Sequence, residues 1–449
     1  MPDALPVHPL RIHPQRDLLA NEVHARPTMP LEAPQSASHL AVITGEHAAS
    51  EDHAHLVLLC RRHGVVPPAE GVNHFTADLG TLRLRWERHT EFVSYTFFAH
   101  GAGEDPFARP PLEAVPRDWL ATLPGHVLVA MHVAMVQRPR AVAEDAEAAA
   151  PAARLLARNS MVGSRMGGGI ATGFTDCHIH ADGFGRVLVV MHDDVPDPPS
   201  AHRTGRLVQR LLEIETYRTM ALLGLPHARE AVPVLGRVER GLAEVSDALA
   251  HGPASGDDAD RAAERALLDR LAGLAAEAER LSARTSYRFD AAAAYAALVA
   301  RRVGELREER LDGLRSYGEF MERQLQPAIR TCEAVSARQE RLSRRLARAC
   351  QLLRARVEMT LQEQNRDLLH SLDRRANLQL RLQETVEGLS VFAISYYAVS
   401  LIGHMAGPLT LMGGQAWPRW LTEVGAAVSV PIVLGLVWLA MRRMRHRLR

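Results

Sequence analysis

Residues 388–418 contain no Asp, Glu, Lys or Arg, and nothing else in this chain limits its folding more. A run of that kind lies either in a bilayer or in a protein core. Residues 389–406 (LSVFAISYYAVSLIGHMA) match the length of a membrane-crossing helix, about 17–25 residues. A second uncharged run, 424–441, follows a short loop holding Gly413, Gly414, Trp417, Pro418 and Trp420. Tryptophan at that position suits a membrane–water interface. The pattern predicts a C-terminal two-helix transmembrane hairpin over 387–441, with the lipid bilayer as partner. A buried helical hairpin in a soluble core is the other reading. Arg442, Arg443, Arg445, Arg447 and Arg449 crowd the tail 442–449, and Arg374, Arg375 and Arg381 flank the other end. The loop between the spans carries only Arg419 before Glu423. The positive-inside rule then puts both termini and the soluble part in the cytoplasm.

The chain has 449 residues, which implies more than one structural unit. Its formal charge is +1, which gives no global field for nucleic acid, and no nucleic-acid partner is expected. The sequence contains no lysine: all 53 basic residues in the Lys+Arg count are arginine. That excludes a P-loop, a kinase-type lysine and a Schiff-base lysine. Cys60, Cys177, Cys332 and Cys350 lie far apart with no C-x-x-C, so neither a zinc ribbon nor a disulfide framework is expected. The first residues have no apolar core of a secretory signal.

Apolar runs of strand type recur at 40–44, 81–86 (TLRLRW), 91–98 (EFVSYTFF), 126–137, 160–179 and 185–192. Helical spacing appears at 52–63 and around Trp119. At 203–225, Leu207, Leu211, Ile214, Tyr217 and Leu222 recur at about 3.6-residue intervals. This order predicts a mixed α+β or α/β cytoplasmic domain over 1–226. Strand signals then stop. Helices are expected over 228–250, 257–284 and 288–325, forming a helical region over 227–326. From Pro327 to 386 there is no Pro and, until Gly388, no Gly. Val335, Leu342, Leu346, Cys350, Leu353, Val357, Leu361, Leu368 and Leu372 form a stripe close to a heptad. A coiled-coil-like stalk over 327–386, continuous with the first span, is therefore expected.

Three sets of residues could carry chemistry. In an extended strand, Asp176, His178, His180 and Asp182 would share one face, a donor set suited to a first-row divalent metal ion. A strand with one solvated face gives the same alternation, and His192, Asp193 and Asp194 could add ligands if the strands paired. Gly167, Gly168 and Gly169, with Gly163 and Gly173, could make an anion-binding nest or a bulged strand. In the first span Ser390, Tyr397, Ser400 and His404 recur at +7, +3 and +4, one polar helix face. That face would line a pore or hydrogen-bond a neighbouring helix. His24, Glu22 and Arg26 could form an acid/base and anion-binding set, or belong to a structural arm. No G-x-S-x-G or H-E-x-x-H is present.

Three long motifs carry a resemblance. They are Asn21-Glu22-Val23-His24-Ala25-Arg26-Pro27, Thr175-Asp176 through Ile179-His180 with Asp182-Gly183-Phe184, and the stretch 205–218 (GRLVQRLLEIETYR). Together they resemble an uncharacterised family of predicted membrane-anchored bacterial proteins, a domain of unknown function. The resemblance implies a bacterial inner-membrane location and supplies no activity. A cytoplasmic domain, a stalk helix entering the first span, a short outer loop and a basic tail also resemble the architecture of the CorA-type magnesium channel family. That family carries Gly-Met-Asn after its first span, where this chain has Gly403-His404-Met405-Ala406-Gly407. The resemblance implies a homo-oligomeric ion channel, transporter or ion sensor. The alternative is a membrane-tethered scaffold or regulatory protein whose hairpin only anchors it, with an enzyme third.

Overall fold

A computed structural model describes residues 13–16, 28–45, 49–101, 105–138, 152, 154–156, 161–193, 195, 200–251, 258–412 and 419–447. By contact the chain divides into two compact units, one comprising 1–252 with 267–349, the other 253–266 with 350–449.

The first unit is built on one mixed nine-stranded sheet, in the order β2-β3-β4-β1-β5-β8-β7-β6-β9. Its strands are β1 (Gln35–Ile43), β2 (His74–Asp78), β3 (Arg83–Arg88), β4 (Phe92–His100), β5 (His126–Arg138), β6 (Val162–Met166), β7 (Ala171–Thr175), β8 (Gly185–His192) and β9 (Glu309–Arg310). All neighbouring pairs are antiparallel except β5 with β8. The helices are α1 (Ala49–Arg62), α2 (Arg117–Ala121), α3 (Ala201–Leu222), α4 (Gly224–His251), α5 (Asp258–Glu305), α6 (Tyr317–Met412) and α7 (Arg419–Arg447).

The two-residue period of the strands sorts side chains to the two faces. Ala37 and Ala41 of β1 and Met131, Val133 and Met135 of β5 join Leu207, Val208, Leu211 and Ile214 of α3 in one core. Leu40 and Val42 turn the other way, with Leu56 and Leu59 of α1, Trp86, Tyr95 and Trp119. Both β1 and β5 are central and covered on two sides, so β5 reads as a near-continuous apolar run, while the first half of β1 buries the polar Gln35, Ser36, Ser38 and His39.

The helices correct several boundaries. The expected unit 1–226 stops short of the compact one. β9 extends the sheet beside β6, and Ala292, Ala296, Val299, Leu306, Tyr317, Met321, Leu325 and Ile329 share the core of α3. The helix expected over 257–284 does not stop there. α5 continues to Glu305, with Thr285 donating to the Leu281 carbonyl inside the helix. The long helix begins at Tyr317, ten residues before Pro327. Ser316 and Glu319 form a reciprocal capping box: Glu319 N–H donates to Ser316 Oγ at 3.2 Å, and Ser316 N–H to Glu319 Oε2 at 3.3 Å. α6 then passes through Pro327 because Leu325, Ala328 and Ile329 are all buried, and packing overrides the break. The first half of the stalk stripe is likewise spent within the chain. Val335, Leu342, Leu346 and Leu353 are buried in the single copy, whereas Leu361, Leu368 and Leu372 are exposed. Beside that stripe Arg338 pairs with Glu239 of α4, and Gln339 donates to Thr285 of α5 at 2.9 Å.

In the second unit Arg356 pairs with Glu264 at 3.1 Å. Among the described residues α6 is the one helix long and apolar enough to cross a membrane, and only 6% of its apolar window is buried. α7 contributes a shorter apolar stretch, Ala427–Ala440.

Candidate functional site

The segment 176–182 is a loop, not a strand, so its four polar side chains do not share a face. Thr175 Oγ1 accepts from Cys177 N–H at 3.2 Å, and Asp176 Oδ1 from His178 N–H at 3.1 Å. These local bonds take the donors a strand ladder would use. Cys177 turns the chain with φ 53°, and a tight turn at Asp182-Gly183 closes it, Gly183 N–H donating to the His180 carbonyl at 2.9 Å. Asp176 is buried with His180 Nε2 at 3.0 Å from its Oδ2, while Asp182 faces outward and holds Arg186 at 3.0 Å. His178 is exposed, its Nδ1 3.0 Å from the Asp176 carbonyl oxygen. Among the described residues no three His, Cys, Asp or Glu side chains are grouped to hold a metal ion. His192 is buried in β8, bonded to Thr172 and to the Gly169 carbonyl, and does not join the loop.

Asn21, Glu22, His24, Arg26 and Pro27 lie outside the described residues. Of the polar set on α6, Tyr397, Ser400 and His404 are exposed and Ser390 is half-buried. Ser390 Oγ donates to the Val386 carbonyl at 2.8 Å, and His404 Nδ1 lies 3.0 Å from the Ser400 carbonyl. Ser395, which the sequence did not single out, is buried.

Two buried polar clusters bracket the sheet centre. On the α3 face, His39 Nδ1 is 2.8 Å from Thr96 Oγ1 and Nε2 is 3.1 Å from Thr216 Oγ1. Burial, helped by Arg85, lowers this imidazole to about 3, so it is neutral and ties α3 to β1 and β4. On the opposite face, Ser38 Oγ lies 3.0 Å from His132 Nδ1 and accepts from Leu112 N–H. His132 stacks on Phe184 with centroids 4.1 Å apart, and burial lowers it to about 4. It borders a cavity of about 380 Å³, but Ser38 is fully buried and does not line it. The pair is therefore a fixed hydrogen-bonded post and not an exposed nucleophile.

The charged site is elsewhere. The β6–β7 connection carries Gly167, Gly168 and Gly169 at φ 67°, 72° and 90°, a left-handed path that only glycine follows without strain. It lets the turn press against the start of α3 and the end of α5. Arg203, Arg206 and Arg210 recur at i, i+3 and i+7 on α3, one helix face. With Arg307, Glu305, Leu207, Ile170 and Gly167 they line a cavity of about 200 Å³. Glu305 is shared: it accepts from Arg210 Nε at 3.1 Å and from Arg302 at 2.9 Å. Arg206 and Arg307 are exposed and, among the described residues, have no carboxylate partner. The arginine spacing on α3 was visible in the sequence. The contribution of Arg307, one hundred residues further on, was not.

The fold is thus an α+β domain on a mixed nine-stranded sheet, followed by a long helix with an exposed apolar end. The chain belongs to the family described as Protein of unknown function (DUF3422), whose model matches residues 11–448. No curated protein matches it. No solved structure matches it either.

Proposed function

We propose that this protein is a membrane-tethered binding module of the bacterial inner membrane. The hairpin of α6 and α7 anchors a cytoplasmic α+β domain, with both termini on the cytoplasmic side. The observation that carries this reading is the apolar end of α6. Leu389, Phe392, Ile394, Tyr396, Leu401 and Ile402 are all exposed, and exposed apolar surface on that scale needs a bilayer or a partner to cover it. The arginine-rich C-terminal end, 442–449, supports the orientation. Anchoring is favoured over an oligomeric CorA-like ion pathway by the polar face. Ser390 and His404 use carbonyls of their own helix, which lowers the cost of leaving them in hydrocarbon without pore water. Burial of Val335, Leu342, Leu346 and Leu353 within one copy also removes the first half of the seam that would gather subunits around an axis.

Single cysteines at 390, 392, 397, 400, 401 and 404, probed in membranes with a water-soluble thiol reagent, test this. Labelling is scored above the background of the unsubstituted protein. Protection of all six supports the anchor. Labelling of 390, 397, 400 and 404 alone would replace it with a water-filled ion pathway. Labelling of all six would mean that the segment is not in a membrane.

A further inference from the structure

We infer that the arginine-lined cavity between the β6–β7 turn, α3 and the end of α5 is a binding site for a phosphate monoester group. Arg203, Arg206, Arg210 and Arg307 line it with Glu305, which is shared by Arg210 and Arg302, and among the described residues Arg206 and Arg307 have no carboxylate partner. Guanidinium stays protonated at any physiological pH, so the surplus charge of Arg206 and Arg307 cannot be relieved by losing a proton. Bringing such charges together without a counter-charge is unfavourable, and an anion removes that penalty. A carboxylate brings one negative charge. A phosphate monoester brings close to two, with three acceptor oxygens for several forked donors. Volume narrows the class further. About 200 Å³ is below the roughly 300–1,000 Å³ of pockets that enclose drug-sized ligands. It suits a phosphate with little attached, not a whole nucleotide.

Because every basic residue in this chain is arginine, an arginine alone signifies nothing here. What marks the site is convergence of arginines from two separated segments, α3 and the residue past α5, against the glycine turn whose backbone permits it. Arg307 sits at φ 47°, in the left-handed position just past α5 where a helix ordinarily ends on glycine. A side chain there carries a conformational cost, and the residue holding it points a cation at the cavity rim. The site stands whether or not the hairpin spans a membrane.

The full chain in phosphatidylcholine nanodiscs, titrated calorimetrically with inorganic phosphate, tests the inference. Saturable binding is expected, weakened at least tenfold in the Arg206→Gln/Arg307→Gln double variant and unchanged in Arg323→Gln, an exposed arginine outside the cavity. Neither Arg206 nor Arg307 is buried, so the double variant should be at least as stable as the parent, and its denaturation midpoint is measured alongside. Nanodiscs containing phosphatidic acid separate the two sources of the group. If phosphate binding disappears in them, the occupant is a lipid headgroup. If it persists, the occupant is a soluble phosphate. Equal binding by the parent and the double variant, or equal loss in Arg323→Gln, would overturn the assignment.

Discussion

Gly205 is where α3 meets the chain that follows the first sequence motif, and replacing it with alanine is a sharp test of that packing. A Cβ built on Gly205 falls 1.9 Å from the carbonyl oxygen of Met29, and real Cβ contacts essentially never come under 3.0 Å. The 28–31 segment would have to withdraw by at least 1 Å. The hydrogen bond from Leu31 N–H to the Ala201 carbonyl, now 2.9 Å, would break, at a cost of about 1 kcal/mol. Leu31, only 2% exposed, would lose part of the roughly 1.5–3 kcal/mol that its burial supplies. Against this, Gly→Ala inside a helix returns about 1 kcal/mol of propensity. The steric loss wins, and Gly205→Ala should destabilise the protein by about 1–3 kcal/mol. Urea denaturation followed by the fluorescence of buried Trp86 and Trp119 gives the magnitude, and hydrogen exchange at the Leu31 amide gives the location. A variant as stable as the parent, with the Leu31 amide still protected, would refute the reasoning.

Asp52 is buried, which raises its carboxyl from 3.8 to about 6. The folded state keeps this proton longer than the unfolded chain, so the contribution is full below pH 4 and is lost as pH rises through 6. Asp52→Asn should therefore be more stable than the parent at pH 8, by up to about 2–3 kcal/mol, and equal to it at pH 3.5. Denaturation at both pH values checks this, and a less stable variant at pH 8 would contradict it. His39 runs the other way: its folded value of about 3 lies below the ordinary histidine value of 6.5, so stability present above 6.5 is lost as pH falls toward 3. His39→Gln should flatten the acid limb of the midpoint–pH curve, and an unchanged limb would count against the buried neutral imidazole. Ser316→Ala removes the cap of α6 and one donor to Glu308, and should cost about 1 kcal/mol in the same denaturation assay.

β5, β8 and the second half of β1 were legible because both faces are covered and their apolar runs survive any choice of register, whereas the buried polar start of β1, Gln35 to His39, gave no such signal. α3 was legible from its 3.6-residue spacing. The β6–β7 hairpin was not, since Gly167–Gly169 reads equally as a bulge in one long strand until neighbours are known. Asp182-Gly183 was a turn signal, but alternation of Asp176, His178, His180 and Asp182 suggested a strand more strongly. The start of α6 was written as Ser316-Tyr317-Gly318-Glu319, while Pro327 drew the boundary instead. The arginine cavity joins residues about one hundred positions apart through β9 and the end of α5. No periodicity records that kind of closure.

The anchor itself is tested most directly by alkaline extraction of membranes from cells making either the full chain or a version ending at residue 386. The full chain should stay in the membrane pellet and the shortened one should be released. Release of both at alkaline pH would contradict a membrane-spanning hairpin.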